Sequence, residues 1–149
     1  MFAVSIREII VDSGFIVALF HETDSANFAA NALEVRLGND FQFVTTGFVV
    51  QEIFWLLRKR VNNQKALEFM CCVKDKLIQV PFLPENWAQK VTALLHKYAD
   101  RELDLADASI IVLADHLNLG DVASVDFKDF EVLRWSDGKK QFNNFMLGI

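Results

Sequence analysis

The chain has 149 residues, 52% of them hydrophobic and 23% charged, long enough to bury a core and too apolar for a disordered or fibrous protein. A formal net charge of -5 excludes a protein that grips nucleic acid by overall positive charge, leaving only local basic patches for that task. Fourteen phenylalanines and three tryptophans against one tyrosine predict a dense aromatic interior, with apolar surface left over for a partner.

The opening stretch MFAVSIREIIVDSG carries Arg7, Glu8 and Asp12 inside its apolar run, which does not suit a signal peptide. No run approaches the roughly 18 apolar residues of a membrane span, so a cytoplasmic, non-membrane protein is expected. The first strand is EIIVD, ending at Asp12, with Ser13-Gly14 as a turn toward the next helix. Residues 24–37 read as that helix, stopped by Gly38, and FQFVTT as the second strand. A helix over about 46–60 follows, capped by Thr45 or Thr46 and ending in Arg58-Lys59-Arg60. The next helix, about 63–77, holds Cys71 and Cys72, which are expected to be buried or half-buried free thiols in a reducing compartment. LIQVPFL is the third predicted strand, and Pro84 stands near the start of a helix over 85–99. A helix over 105–118 has Gly120 just past its end, before the strand DVASVD, which ends at Asp126, and the strand FEVLRW.

Strands alternating with helices argue for a parallel sheet covered on both faces, in one domain spanning residues 1–149 without linker or repeat. Ligands in such sheets bind beyond the carboxyl ends of the strands. Asp12 and Asp126 both fall there, although either acid alone is also a common helix cap or turn former. Two helical acids share the anomaly. Asp107 leads the stripe Ile110, Ile111 and Ala114, and Glu52 sits among Phe48, Val49, Trp55 and Leu56. A carboxylate on such a face costs several kcal/mol unless its charge is compensated. Two mundane accounts stay open: a reciprocal cap between Asp104 and Asp107, and an ion pair from Glu52 to Arg58 or Arg7.

If Asp12, Glu52, Asp107 and Asp126 converge, each pair about 4 Å apart repels by about 4 kcal/mol at an effective dielectric of about 20. Protons or a cation must then neutralise them. His21, His96 and His116 lie far apart with no zinc-type spacing, so the oxygen donors match Mg²⁺ or Mn²⁺. An ion so held activates water and steadies a leaving oxygen, which points to phosphodiester hydrolysis. No serine triad order, phosphate-binding glycine loop or cysteine nucleophile competes with that chemistry.

At these residues the chain resembles the PIN domain, and specifically the VapC-type ribonuclease toxins of prokaryotic toxin–antitoxin pairs, along nearly its whole length. IIVDSGFIVALF resembles the family's opening strand and turn, giving Asp12 and Ser13, and FVTTGFVVQEIFWLL its second motif, giving Glu52. LDLADASIIVLADHLNL matches the Leu-Ala-Asp-Ala helix start at Asp107, and VASVDFKDF the closing Thr-x-Asp-x-x-Phe pattern at Asp126. Ser124 stands where the family usually has threonine and keeps the hydroxyl. Asp104 and Asp129 are common family companions, as ligands, caps or supports of the ligands.

The resemblance implies a three-layer α/β/α fold around a mainly parallel five-stranded sheet, and Mg²⁺- or Mn²⁺-dependent cleavage of RNA. It also implies a homodimer and an antitoxin protein that blocks the acidic pocket with a basic side chain. The aromatic-rich helices of about 24–60 are either partner surface or ordinary core. Arg58-Lys59-Arg60 could hold RNA phosphates or simply complement a helix end, while Lys128 and Lys139-Lys140 are further candidates for RNA contact. Two other classes share some of these features: a PIN-like protein-binding module with little or no nuclease activity, and another Mg²⁺-carboxylate fold. The intact acidic set speaks against the first. The single Asp before Ser13-Gly14, without a paired Asp-x-Asp, speaks against a haloacid-dehalogenase-type phosphatase, and a receiver domain would need a phosphorylated Asp at a central strand end.

Overall fold

The computed structural model describes residues 6–149; residues 1–5, part of the apolar opening stretch that does not suit a signal peptide, lie outside the described residues. Strand β1 (Arg7–Val11) is the centre of the molecule, its last three residues sealed from solvent on both faces. Such continuous burial is what a central parallel strand requires. Its neighbours are β2 (Phe41–Val44) on one side and β4 (Asp121–Ala123) on the other, Ile10 standing in register with both Val44 and Val122. Strands β3 (Ile78–Gln79) and β7 (Asn143–Asn144) form the edges, giving the order β3-β2-β1-β4-β7. Every pairing in this sheet is parallel, as expected for the alternating pattern.

Seven helices surround it among the described residues: α1 (Ser13–Phe20), α2 (Asn27–Leu37), α3 (Gly47–Arg60), α4 (Asn63–Lys74), α5 (Trp87–Lys97), α6 (Leu105–Leu117) and α7 (Phe127–Val132). Helix α6 buries an unbroken run from Ala108 to Ala114 and serves two cores, the main one and a smaller one with Val91 of α5. An edge-to-face pair of Phe15 with Phe43 packs α1 on β2, and a second pair, Phe20 with Phe69, joins α1 to α4. The predicted aromatic interior is therefore present, although Phe28 and Phe82 are almost fully exposed.

Several expected elements fall differently. FEVLRW is not the fifth strand: its first half belongs to α7, and only Arg134–Trp135 (β5) is extended, in a small antiparallel hairpin with β6 (Lys140–Gln141). The cap at Asp126 overrides the β-branched and aromatic residues that favour a strand there. The fifth strand of the sheet is instead β7, whose Asn-Asn sequence carries no strand preference. DVASVD is extended only to Ala123, and LIQVPFL pairs only at Ile78–Gln79. Helix α1 forms where the sequence suggests only a turn; its residues SGFIVALF are apolar all round and so lack the periodicity that marks a helix. Cys71 is exposed rather than buried, Cys72 is half-buried, and both are free thiols. Among the described residues no helix is long and apolar enough to cross a membrane.

Candidate active site

The acids at the C-terminal edge of the sheet are positioned mainly by helix capping. Asp12 leaves β1 in extended conformation and caps α1, its Oδ1 accepting the Phe15 N–H at 2.9 Å. Its Oδ2 accepts the Ser124 hydroxyl, and the Ser124 Oγ in turn accepts the Asp126 N–H at 2.9 Å. One serine thus ties two acidic residues together from the end of β4. Asp126 caps α7 through the Asp129 N–H at 3.1 Å, so it marks a helix start and not a strand end. Asp104 caps α6 through the Asp107 N–H at 2.9 Å. The cap runs one way: no donor among the described residues reaches the Asp107 carboxylate, so the reciprocal box expected as an alternative is not formed.

Glu52 lies in the second turn of α3, whose start is fixed by Thr46. The Thr46 Oγ1 accepts the Val49 N–H at 3.2 Å and lies 2.7 Å from the Ser109 hydroxyl on α6. Glu52 accepts the Ser13 hydroxyl at 2.7 Å. Neither arginine proposed as its ion-pair partner serves it. Arg7 pairs with Asp121 at 3.1 Å, and the Arg58 guanidinium lies over Phe54. The charge on Glu52 therefore has no cation beside it among the described residues.

Asp12, Glu52, Asp104, Asp107 and Asp126 all line one cleft of about 650 Å³, together with Ser13 and Lys128. Asp129 does not line this cleft, and its carboxylate is held by Arg101 at 3.0 Å. Burial, reinforced by Asp104, Asp12, Asp129 and Glu52, pushes Asp107 up from 3.8 to about 8. Burial likewise lifts Asp12 to about 6; its hydrogen bonds to Ser124 and Phe15 oppose the shift, and Asp126 and Glu52 add to it. Asp126 is raised as well, chiefly by burial. These acids are hard to ionise together, the property expected of a site completed by positive charge.

Among the described residues no three acidic, histidine or cysteine side chains converge tightly enough to grip an ion directly. The all-oxygen donor set and the repulsion recorded in Asp107 and Asp12 nevertheless fit a small hard cation. Such ions keep several waters and take only one or two protein carboxylates directly. A separate groove of about 600 Å³ beside Phe20, Val35 and Phe41 has no comparable cluster of charges.

Two residues of this region carry no signal of their role in the sequence. Asn144, 7% exposed on β7, accepts the Ser124 N–H at 3.1 Å and donates to the Ser124 carbonyl at 3.0 Å, fixing the serine between Asp12 and Asp126. Arg101 holds Asp129, and nothing in the spacing of either residue announces the role. Among the proposed RNA-contacting lysines, Lys128 lies on the cleft, whereas Lys140 lies over Trp135 in the C-terminal hairpin.

Fold and site together define an α/β protein with an acidic cleft at the carboxyl edge of a parallel sheet. The PIN domain family model matches residues 9–134, and the chain belongs to that family. Among solved structures it is similar to VapC20 of Mycobacterium tuberculosis, a sarcin–ricin loop cleaving toxin, with a TM-score of 0.73 and 19% identity over 80% of this chain and 91% of that one. It is also similar to a chain of a toxin–antitoxin complex from Klebsiella pneumoniae, with a TM-score of 0.57 and 18% identity over 82% and 89%. No curated protein matches it significantly.

Proposed function

We propose that this protein is a Mg²⁺- or Mn²⁺-dependent endoribonuclease and the toxin of a toxin–antitoxin pair, acting in the cytoplasm as a single domain. The observation that carries the reading is the convergence of Asp12, Glu52, Asp107 and Asp126 on one cleft with Asp12 and Asp107 driven upward. The fold likeness to a toxin and to a toxin–antitoxin complex supports the biological half of the reading.

In this reading Asp12, Glu52, Asp107 and Asp126 are the residues that would hold the ion. When bound, the ion lowers the pKa of a water and offsets charge on a phosphate. Asp12 is the fixed member: the Phe15 N–H and the Ser124 hydroxyl occupy one lone pair on each oxygen and set the plane of the carboxylate. Ser13 orients Glu52 toward the cleft. Asp107, without a hydrogen-bond donor, is the acid most free to accept a proton from an attacking water. Lys128 on the cleft rim offers a cation to an RNA phosphate. The acidic cleft is equally suited to a basic side chain of an inhibitory protein, which would replace the cation's charge and block the site.

Asp12→Asn and Asp107→Asn are each expected to abolish cleavage of single-stranded RNA while leaving the circular dichroism spectrum unchanged. Full activity in both variants would reject the proposal.

A further inference from the structure

Helix α3 continues past Glu52 into a feature that the acidic cleft does not account for. Trp55 lies one turn beyond Glu52 on the same side of the helix, and Lys59 one turn beyond Trp55. Trp55 is 53% exposed, an unusual placement for so large an apolar ring. It borders a cleft of about 380 Å³ that shares Glu52 and Asp104 with the acidic site. It also borders a cleft of about 400 Å³ shared with Arg58 and Lys59. The Lys59 ammonium lies over the indole, 4.6 Å from its centroid. Among the described residues Arg58, Lys59 and Arg60 have no acidic partner.

We propose that Trp55 with Arg58 and Lys59 forms a subsite for single-stranded RNA, in which a base next to the cleaved phosphate stacks on the indole and the two cations hold the following phosphates. The inference rests on the nuclease reading for the identity of the neighbouring site. Three observations select RNA over an apolar partner. The shelf joins a site suited to phosphate chemistry, its outer end is cationic in a protein of net charge -5, and its aromatic face already holds a cation. An aromatic platform within a basic groove is the usual arrangement for binding single strands, because every base presents a π-face. From Glu52 to Lys59 the helix rises about 10 Å, the scale of a short stretch of extended strand. On binding, the base takes the place of Lys59 against the ring, and the freed ammonium meets a phosphate. Trp55 is thus a positioning residue, one that sets which nucleotide lies over the acids.

The test uses the full chain carrying Asp12→Asn, so that binding is measured without cleavage, and a labelled mixed-sequence single-stranded RNA oligonucleotide as probe. Adding Trp55→Ala is expected to weaken binding about five-fold or more, with Trp55→Phe restoring most of it, and binding should fall when the oligonucleotide is annealed to its complement. Adding Arg58→Gln and Lys59→Gln is expected to reduce the salt slope of binding by about 1.4, the equivalent of two phosphates on a single strand. With Asp12 intact, Trp55→Ala should raise KM more than it lowers kcat. Unchanged binding, KM and salt slope in these variants would overturn the subsite even if Asp12→Asn abolishes cleavage. Altered oligomeric state on sedimentation without altered RNA affinity would also overturn it, assigning the face to a second copy. RNA binding that depends on Trp55 in a protein that never cleaves would instead sink the nuclease reading alone.

Discussion

Ser124 shows how much of the site rests on a single hydroxyl. It donates to Asp12 and accepts from the Asp126 backbone, and its own main chain is held by Asn144. Removing the hydroxyl takes away the interaction that most strongly holds the Asp12 pKa down. Ser124→Ala is therefore expected to shift the acid limb of the cleavage pH profile upward and to lower activity about ten-fold or more, whereas Ser124→Thr should keep both. Identical profiles for the parent enzyme and the Ser124→Ala variant would refute the role. Asp107 supplies a second test at this scale. An acid with a raised folded-state pKa contributes stability below its unfolded value and loses it as pH rises through the folded one. Without metal, the protein should thus lose stability from about pH 4, through the Asp12 value of about 6, to the Asp107 value of about 8. Asp107→Asn should flatten the upper part of that decline and raise the melting temperature at pH 8 in chelator. Parallel melting curves for the two proteins across pH 6–8 would contradict it. Asp12 is legible in the sequence as a charge at the end of a strand and Glu52 and Asp107 as charges on apolar helix faces, whereas Asp126 reads as a strand end but begins a helix. Asn144 is not, because its importance comes from the backbone opposite it, 20 residues away in sequence.

The elements that the sequence discloses least are those stabilised chiefly by their neighbours. Helix α1 is apolar all round, and α7 owes its start to the Asp126 cap, so neither shows an amphipathic period. Strand β7 pairs with β4 because the main chain beside Asp121 and Val122 offers a free ladder and Asn144 fastens to Ser124. By contrast β1, β2, α3, α4, α5 and α6 are visible from periodicity and end signals, with most boundaries within a few residues. Asn144→Ala leaves the buried Ser124 N–H and carbonyl without partners and is expected to cost about 2–4 kcal/mol, read by chemical denaturation. A loss below about 0.5 kcal/mol would mean that β7 is held elsewhere. Gly120 carries the same kind of constraint, since a Cβ there would run into the Trp135 indole. Gly120→Ala is expected to lower stability by about 1–3 kcal/mol, whereas Gly47, with nothing near its missing Cβ, should tolerate alanine.

At the scale of the molecule the sheet works as a clamp for charges that do not tolerate one another. Val11 and Ala123 stand in register on β1 and β4, placing Asp12 and Ser124 side by side at the edge where α1 and α7 begin. Helices α3 and α6, joined by the Thr46 and Ser109 hydroxyls, close the ring with Glu52 and Asp107. The packing energy of a large apolar core offsets the repulsion that this arrangement creates. A divalent ion bound in the cleft would remove that repulsion, so that metal and fold would stabilise each other. The direct measurement is calorimetric titration of Mn²⁺ into the full chain and into Asp12→Asn and Asp107→Asn at about pH 7.5, between the Asp12 and Asp107 values. Saturable binding by the parent, accompanied by proton release, and at least ten-fold weaker binding by each variant are expected. No binding by the parent, or equal binding by all three proteins, would contradict it.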